Sequence, residues 1–135
     1  EDFQVGGSKV LKSSDKDRAT LVAAGVTLHE ALKASLELES QGLAVRVIDL
    51  YSIKPIDEET LLQAARETQL LITVEDHYSD GGLGDAVLGA LASQPCRLHK
   101  IAVEGLPRSG ESAQLMDAFG LSAKSIVKKV KELVR

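Results

Sequence analysis

The chain has 135 residues, 44% of them hydrophobic and 27% charged, with a net charge of -4 from 16 basic and 20 acidic side chains. That is enough for one compact domain with a sizeable core, too apolar for a disordered chain, and too acidic for a polyanion-binding face unless its basic residues cluster. Aromatic residues are 3% with no Trp, which removes stacking platforms for single-stranded nucleic acid, and the single Cys96 removes an internal disulfide framework and fits a reducing compartment such as the cytoplasm.

Residues 1–7 read as a linker remnant, and the start at Glu1 rather than Met is expected of a chain processed or cut from a longer one; it shows no signal-peptide pattern. Ser8–Lys12 reads as a short strand, and Ser13–Asp17, with no apolar member, as a turn. Ala19–Ala24 is a nearly continuous apolar run, as expected of a strand covered on both faces. After Gly25-Val26, Thr27 is placed to cap a helix, with Glu30 three residues on to complete a capping box. Leu28, Leu32 and Leu36 form its apolar row, flanked by Ala31, Ala34 and Leu38, and Gly42 sits where a left-handed C-terminal cap is wanted.

Ala44–Leu50 is the next strand. Pro55 and Asp57 introduce a helix to Thr68, with the acidic Asp57, Glu58 and Glu59 complementing the positive end of its dipole. The strand Leu70–Val74 runs into Glu75, Asp76, His77 and Tyr78, and Gly81, Gly82 and Gly84 then open a helix carrying Leu83, Val87 and Leu91 on one face. A last strand, Leu98–Val103, is followed by the loop Gly105–Gly110 and a short helix ending at Phe119-Gly120. The final helix sets Lys124, Lys128, Lys129, Lys131 and Arg135 against Ile126, Val127, Val130, Leu133 and Val134. These lysines are the wet side of an amphipathic helix rather than a nucleic-acid patch.

Strands alternating with helices imply a single α/β domain over 1–135: three α/β/α layers around a five-stranded, mostly parallel sheet. No helix separates the first two strands, so the first strand is expected to be an antiparallel edge. No apolar run approaches membrane-spanning length, so no membrane partner is expected.

Ligands of open α/β sheets meet the protein at the carboxyl ends of the strands, where Thr73–Gly84 falls. The glycine turn there could cradle a phosphate, but it lacks the Gly-Lys-Ser/Thr of a Walker loop and the Gly-x-Gly-x-x-Gly spacing of a dinucleotide site. Asp80 and Asp85 flank it and repel an anion, which favours a plain strand-to-helix turn. Glu75, Asp76 and His77 could act as acid, base or metal ligands, yet adjacent side chains on an extended strand diverge, and His29 and His99 lie in other elements. Ser109 lacks nucleophile-elbow spacing, Arg108 is placed to meet a carboxylate or acidic partner, and Cys96 reads as structural. No complete catalytic or metal-binding set emerges.

Four blocks in this order carry a resemblance: Gly25-Val26-Thr27-Leu28-His29-Glu30-Ala31-Leu32; Arg46-Val47-Ile48-Asp49 with Ile53-Lys54-Pro55-Ile56-Asp57; Val74-Glu75-Asp76-His77-Tyr78 with Gly81-Gly82-Leu83-Gly84; and Pro107-Arg108-Ser109-Gly110 with Leu115 and Phe119-Gly120-Leu121. Together they resemble the C-terminal domain of transketolases of the animal-type and archaeal-like branch, over essentially the whole chain. The matching domains of deoxyxylulose-phosphate synthase and of 2-oxoacid dehydrogenase β-subunits share part of this skeleton, but Asp76-His77-Tyr78 and Pro107–Gly110 favour transketolase. A free-standing module binding a small anion at Gly81–Gly84 is the alternative of a different class.

The resemblance implies a parent enzyme that uses thiamine diphosphate and a divalent cation, magnesium or calcium, to move a two-carbon ketol unit between sugar phosphates. In that family the cofactor is held by a Gly-Asp-Gly…Asn motif and a glutamate in other domains. Gly84-Asp85-Ala86 is the nearest approach in this chain, and its third residue is wrong. The chain is therefore expected to bind no cofactor, to be non-catalytic on its own, and to dock against the remaining transketolase domains, in the same chain or a separate subunit, within a homodimer. Glu75, Asp76, His77, Tyr78, Gly81, Gly82, Gly84, Thr27, His29 and Arg108 are the candidate contact or anion-site residues.

Overall fold

The computed structural model describes residues 7–76, 82–103 and 118–134, those of 118–122 as backbone only. Its elements are β1 (Lys9–Lys12), β2 (Thr20–Ala23), α1 (Val26–Ser40), β3 (Arg46–Asp49), α2 (Glu58–Thr68), β4 (Leu70–Asp76), α3 (Gly82–Ala90), β5 (Arg97–Val103) and α4 (Ala118–Leu133). The five strands form one sheet in the order β1-β3-β2-β4-β5. β1 pairs antiparallel with β3 through a bulge between Val10 and Lys12, and every other pair is parallel. The three-layer α/β architecture and the antiparallel first strand are as the sequence predicts.

Two apolar clusters sandwich the sheet. On one side Leu21, Val47, Ile72 and Val74 meet Ala31, Ala34 and Leu38 of α1 and Ile126, Val127 and Val130 of α4. On the other, Val22, Ile48 and Leu71 meet Leu61, Ala64 and Ala65 of α2 and Leu83 and Val87 of α3. Successive strand residues feed opposite clusters, as the period of two requires. Leu21, Val22, Ile72 and Val74 are fully buried, each contributing roughly 1.5–3 kcal/mol of burial, which accounts for the unbroken apolar runs of β2 and β4.

Asp57, read as a first-turn residue of its helix, instead caps α2, accepting from the Thr60 amide at 3.2 Å and the Thr60 hydroxyl at 2.7 Å. Gly42, at φ 83°, ends α1: its N–H donates to Glu39 O at 3.0 Å and that of Leu43 to Leu38 O at 3.0 Å, the paired bonds of a left-handed C-terminal cap. In α4, Lys124 and Lys128 are exposed while Ile126, Val127 and Val130 are buried.

Three further expectations are corrected. α1 begins at Val26 with Gly25 (φ 62°) as its cap, and no side chain caps it. The buried stripe of α1 is Thr27, Glu30, Ala31, Ala34, Ser35 and Leu38, with Leu36 61% exposed. The small Ala31 and Ala34 let the helix lie close to the sheet, which outweighs the larger leucine row. Finally, α4 runs through Phe119 and Gly120 without a break there. One glycine inside a helix costs only about 1 kcal/mol, less than the burial of the residues that follow it.

Candidate functional site

From β2 the chain crosses to β3 on one side and later returns to β4 on the other, so the strand order reverses between β2 and β4. At their carboxyl ends the connections leave in opposite directions and open a crevice. A cleft of about 400 Å³ lies there, lined by Val26, Thr27, Ile53, Glu75, Asp76 and Gly82, with Ala24, Val74 and Leu83 adding apolar wall. Val26 and Ile53 are 44% and 38% exposed at its mouth.

Thr27 is buried and folds the β2–α1 turn onto itself. Its hydroxyl donates to Ala24 O at 2.8 Å and accepts from the Ala24 amide at 3.3 Å. Glu75 and Asp76 are the last residues of β4. Glu75 belongs to the α2/α3 side, where its Oε1 accepts from the Gly84 backbone N–H at 3.2 Å. This carboxylate is only 8% exposed and sits at the positive end of α3. Lys100 Nζ, from the adjacent β5, pairs with Asp85 Oδ1. That hydrogen bond comes first among the influences holding the Lys100 amine above its usual range, with the charges of Asp85 and Glu75 adding to it against a desolvation cost.

Gly84 suits this crowding. A Cβ there would stand 2.7 Å from Lys100 Cε, 2.9 Å from Lys100 Cδ and 2.9 Å from Glu75 Oε2. The Gly84 amide therefore already holds a carboxylate oxygen, supplied by Glu75, and a second carboxylate, Asp85, stands beside it. These residues do not fit a diphosphate or other added anion at the Gly84 amide.

The structure thus brings Thr27, Glu75, Asp76 and Gly82 to one cleft and Gly84 to its edge. His29 is exposed on α1 and does not line it. His77, Tyr78, Gly81 and Arg108 lie outside the described residues. Among the described residues no group of three or more His, Cys, Asp or Glu is placed to hold a metal ion, and no helix is long and apolar enough to cross a membrane. Cys96 is half-buried, and burial pushes its thiol up, in keeping with a structural role.

A second cleft, of about 560 Å³, lies at the opposite ends of the strands and is lined by Arg18, Thr68, Gln69, Cys96 and Arg97. Its arginines terminate α4: Arg18 Nη2 donates to Val134 O and Arg97 Nη1 to Leu133 O, both at 2.9 Å. Cations at helix C-terminal carbonyls are a stabilising arrangement, and they explain this pair without a ligand. Sequence reading missed both the pair, whose bonds join elements distant along the chain, and the Glu75–Gly84 contact, which spans nine residues across the β4–α3 connection. The usable signal for the second was Asp85 and Lys100 facing each other across α3 and β5.

A family model described as "Transketolase, C-terminal domain" matches residues 8–126. Over 136 aligned residues the chain is 48% identical to transketolase-like protein 2 of Mus musculus and 46% identical to the transketolase of the same organism, covering 99% of this chain and 22% of each relative. Among solved structures it is similar to a split-gene transketolase described as an inactive beta4 tetramer, at 39% identity and a TM-score of 0.78, over 98% of this chain and 42% of that one. The chain spans well under half the length of these proteins.

Proposed function

The chain belongs to the transketolase C-terminal domain family, and on that premise we propose that it is the non-catalytic C-terminal module of a transketolase, taking part in interdomain packing and dimer assembly. The parent moves two-carbon ketol units between sugar phosphates in the cytoplasm, and its thiamine diphosphate and divalent cation reside in the other domains. Residues 1–135 act as one domain whose strand-end cleft docks against those domains, in the same polypeptide or a separate subunit.

The observation that carries this reading is the Glu75–Gly84 contact. It fills the Gly84 end of the cleft from within, beside an apolar mouth, Val26 and Ile53, that is better suited to covering by protein than to holding a charged cofactor. It also opposes the small-anion module. Identities of 46–48% to transketolase and a transketolase-like protein favour transketolase over deoxyxylulose-phosphate synthase or a 2-oxoacid dehydrogenase β-subunit.

The test is Ile53→Asp with Val26→Asp in the full-length parent. Both positions are already partly exposed, so the domain should keep its circular dichroism and melting behaviour while sedimentation shows weakened assembly and ketol transfer falls. Unchanged assembly and activity would contradict the docking role.

A further inference from the structure

α1 and α4 both run back along the same side of the sheet, so their first turns lie at the carboxyl-end edge, and in the seam between them is Glu30. It is 0% exposed, and among the described residues neither carboxylate oxygen has a hydrogen-bond partner. The backbone of Ala123 in α4 approaches and favours the charged form without completing a hydrogen bond. The core on this side of the sheet is apolar, drawing on Ala31 and Ala34 of α1, Ile126 and Val127 of α4, and Leu21 and Val74 of the sheet. An ionised carboxylate in such a place is among the costliest groups a fold can bury.

None of the other described ionisable groups on this side is hydrogen-bonded to it. By strand alternation with Val47, Val74 and Ile101, those on the strands are Lys9 and Lys12 on β1, Asp49 on β3, Asp76 on β4, and Arg97 and His99 on β5, while β2 carries none; Lys12 pairs with Glu39, and Arg97 is engaged at the end of α4. On α4, Lys124 and Lys128 are exposed, and Lys129 and Glu132 pair with each other at 3.8 Å. Lys33, one turn along α1, is the charge that acts on Glu30 and favours ionisation.

We propose that Glu30 is a proton-linked latch: protonated, it lets α4 seat fully against α1 and the sheet, and loss of its proton loosens that seat. Desolvation is the dominant influence and raises its pKa from 4.5 to about 7, against smaller opposing effects of Lys33 and Ala123. In the unfolded chain the group loses its proton near the ordinary carboxylate value, whereas the folded chain keeps it until near neutrality. The stabilisation is thus complete below about pH 4.5 and lost as pH rises through about 7.

Two measurements on the 135-residue chain test this. The Glu30 side-chain carboxyl carbon, followed by NMR, should titrate near neutrality. Hydrogen exchange of the Ala123–Val130 amides should slow in Glu30→Gln relative to the native chain, by roughly thirtyfold at pH 8 and by little at pH 5, the ratio cancelling intrinsic exchange rates. A Glu30 that titrates with ordinary carboxylates, or an exchange ratio independent of pH, would overturn the latch. The titration uses the unmodified chain, so it decides the matter even if the variant folds poorly.

Discussion

Glu75 and Glu30 stand at the same end of the sheet, one on each side of it, both buried, and they meet opposite circumstances. Glu75, at the end of β4, places Oε1 on the Gly84 amide, where the N-terminus of α3 offers an unsatisfied donor. Glu30, in the first turns of α1, faces α4 across a seam where, among the described residues, neither oxygen completes a hydrogen bond. What differs is not burial but the backbone groups each meets. A helix start receives a carboxylate, while the flank of a helix, with its amides already bonded, does not. The first glutamate ties two elements together as an anion, and the second holds two helices together only while it is neutral.

Neutralising each carboxylate should therefore move stability in opposite directions. At pH 8, Glu30→Gln is expected to stabilise the chain by on the order of 2 kcal/mol in urea unfolding, discounting the full proton linkage for solvent screening, and the gain should vanish near pH 4.5. Glu75→Gln should destabilise by about 1 kcal/mol, the difference between a charge-assisted and a neutral bond to the Gly84 amide, with faster hydrogen exchange in the first turn of α3. If the two changes have the same sign at pH 8, the contrast fails.

A third carboxylate sharpens the comparison. Burial would raise the Asp57 carboxyl, but hydrogen bonds from the Thr60 hydroxyl and amide and from Ser8 Oγ outweigh it and hold it below its usual range. Its contribution is present above the ordinary aspartate pKa and lost as pH falls through the depressed value, the reverse of Glu30. Asp57→Ala should cost about 1 kcal/mol near neutral pH and less in acid, measured by the same unfolding curves.

How much of this was legible in the sequence follows the same division. The strand runs, the antiparallel first strand and the Gly42 terminator depend on residues near one another, and all appear as read. The capping box did not form, because Gly25 adopts a positive φ and starts α1 at Val26, so the Thr27 hydroxyl turns back to Ala24 instead of forward to the helix. Of the row Leu28, Leu32 and Leu36, the first two pack partly buried against the core and Leu36 turns outward, while Ala31 and Ala34 are fully buried, since how closely α1 approaches the sheet depends on partners elsewhere in the chain. Glu30 turned inward with that face. At the strand ends, the clustering of Thr27, Glu75, Asp76 and Gly82 was foreseeable from position alone, whereas the capture of the Gly84 amide by Glu75 required knowing that β5 places Lys100 alongside.

The central claim is that the strand-end cleft docks protein and does not bind an anion. Amide NMR shifts of the isotopically labelled chain test it most directly, titrated first with the remaining domains of the parent and then with phosphate and thiamine diphosphate. Shifts centred on Val26, Thr27, Ile53 and Gly82 with the domains, and none at Gly82–Gly84 with the anions, are the predicted result. Anion-induced shifts centred on Gly82–Gly84, with the cleft silent toward the domains, would contradict it.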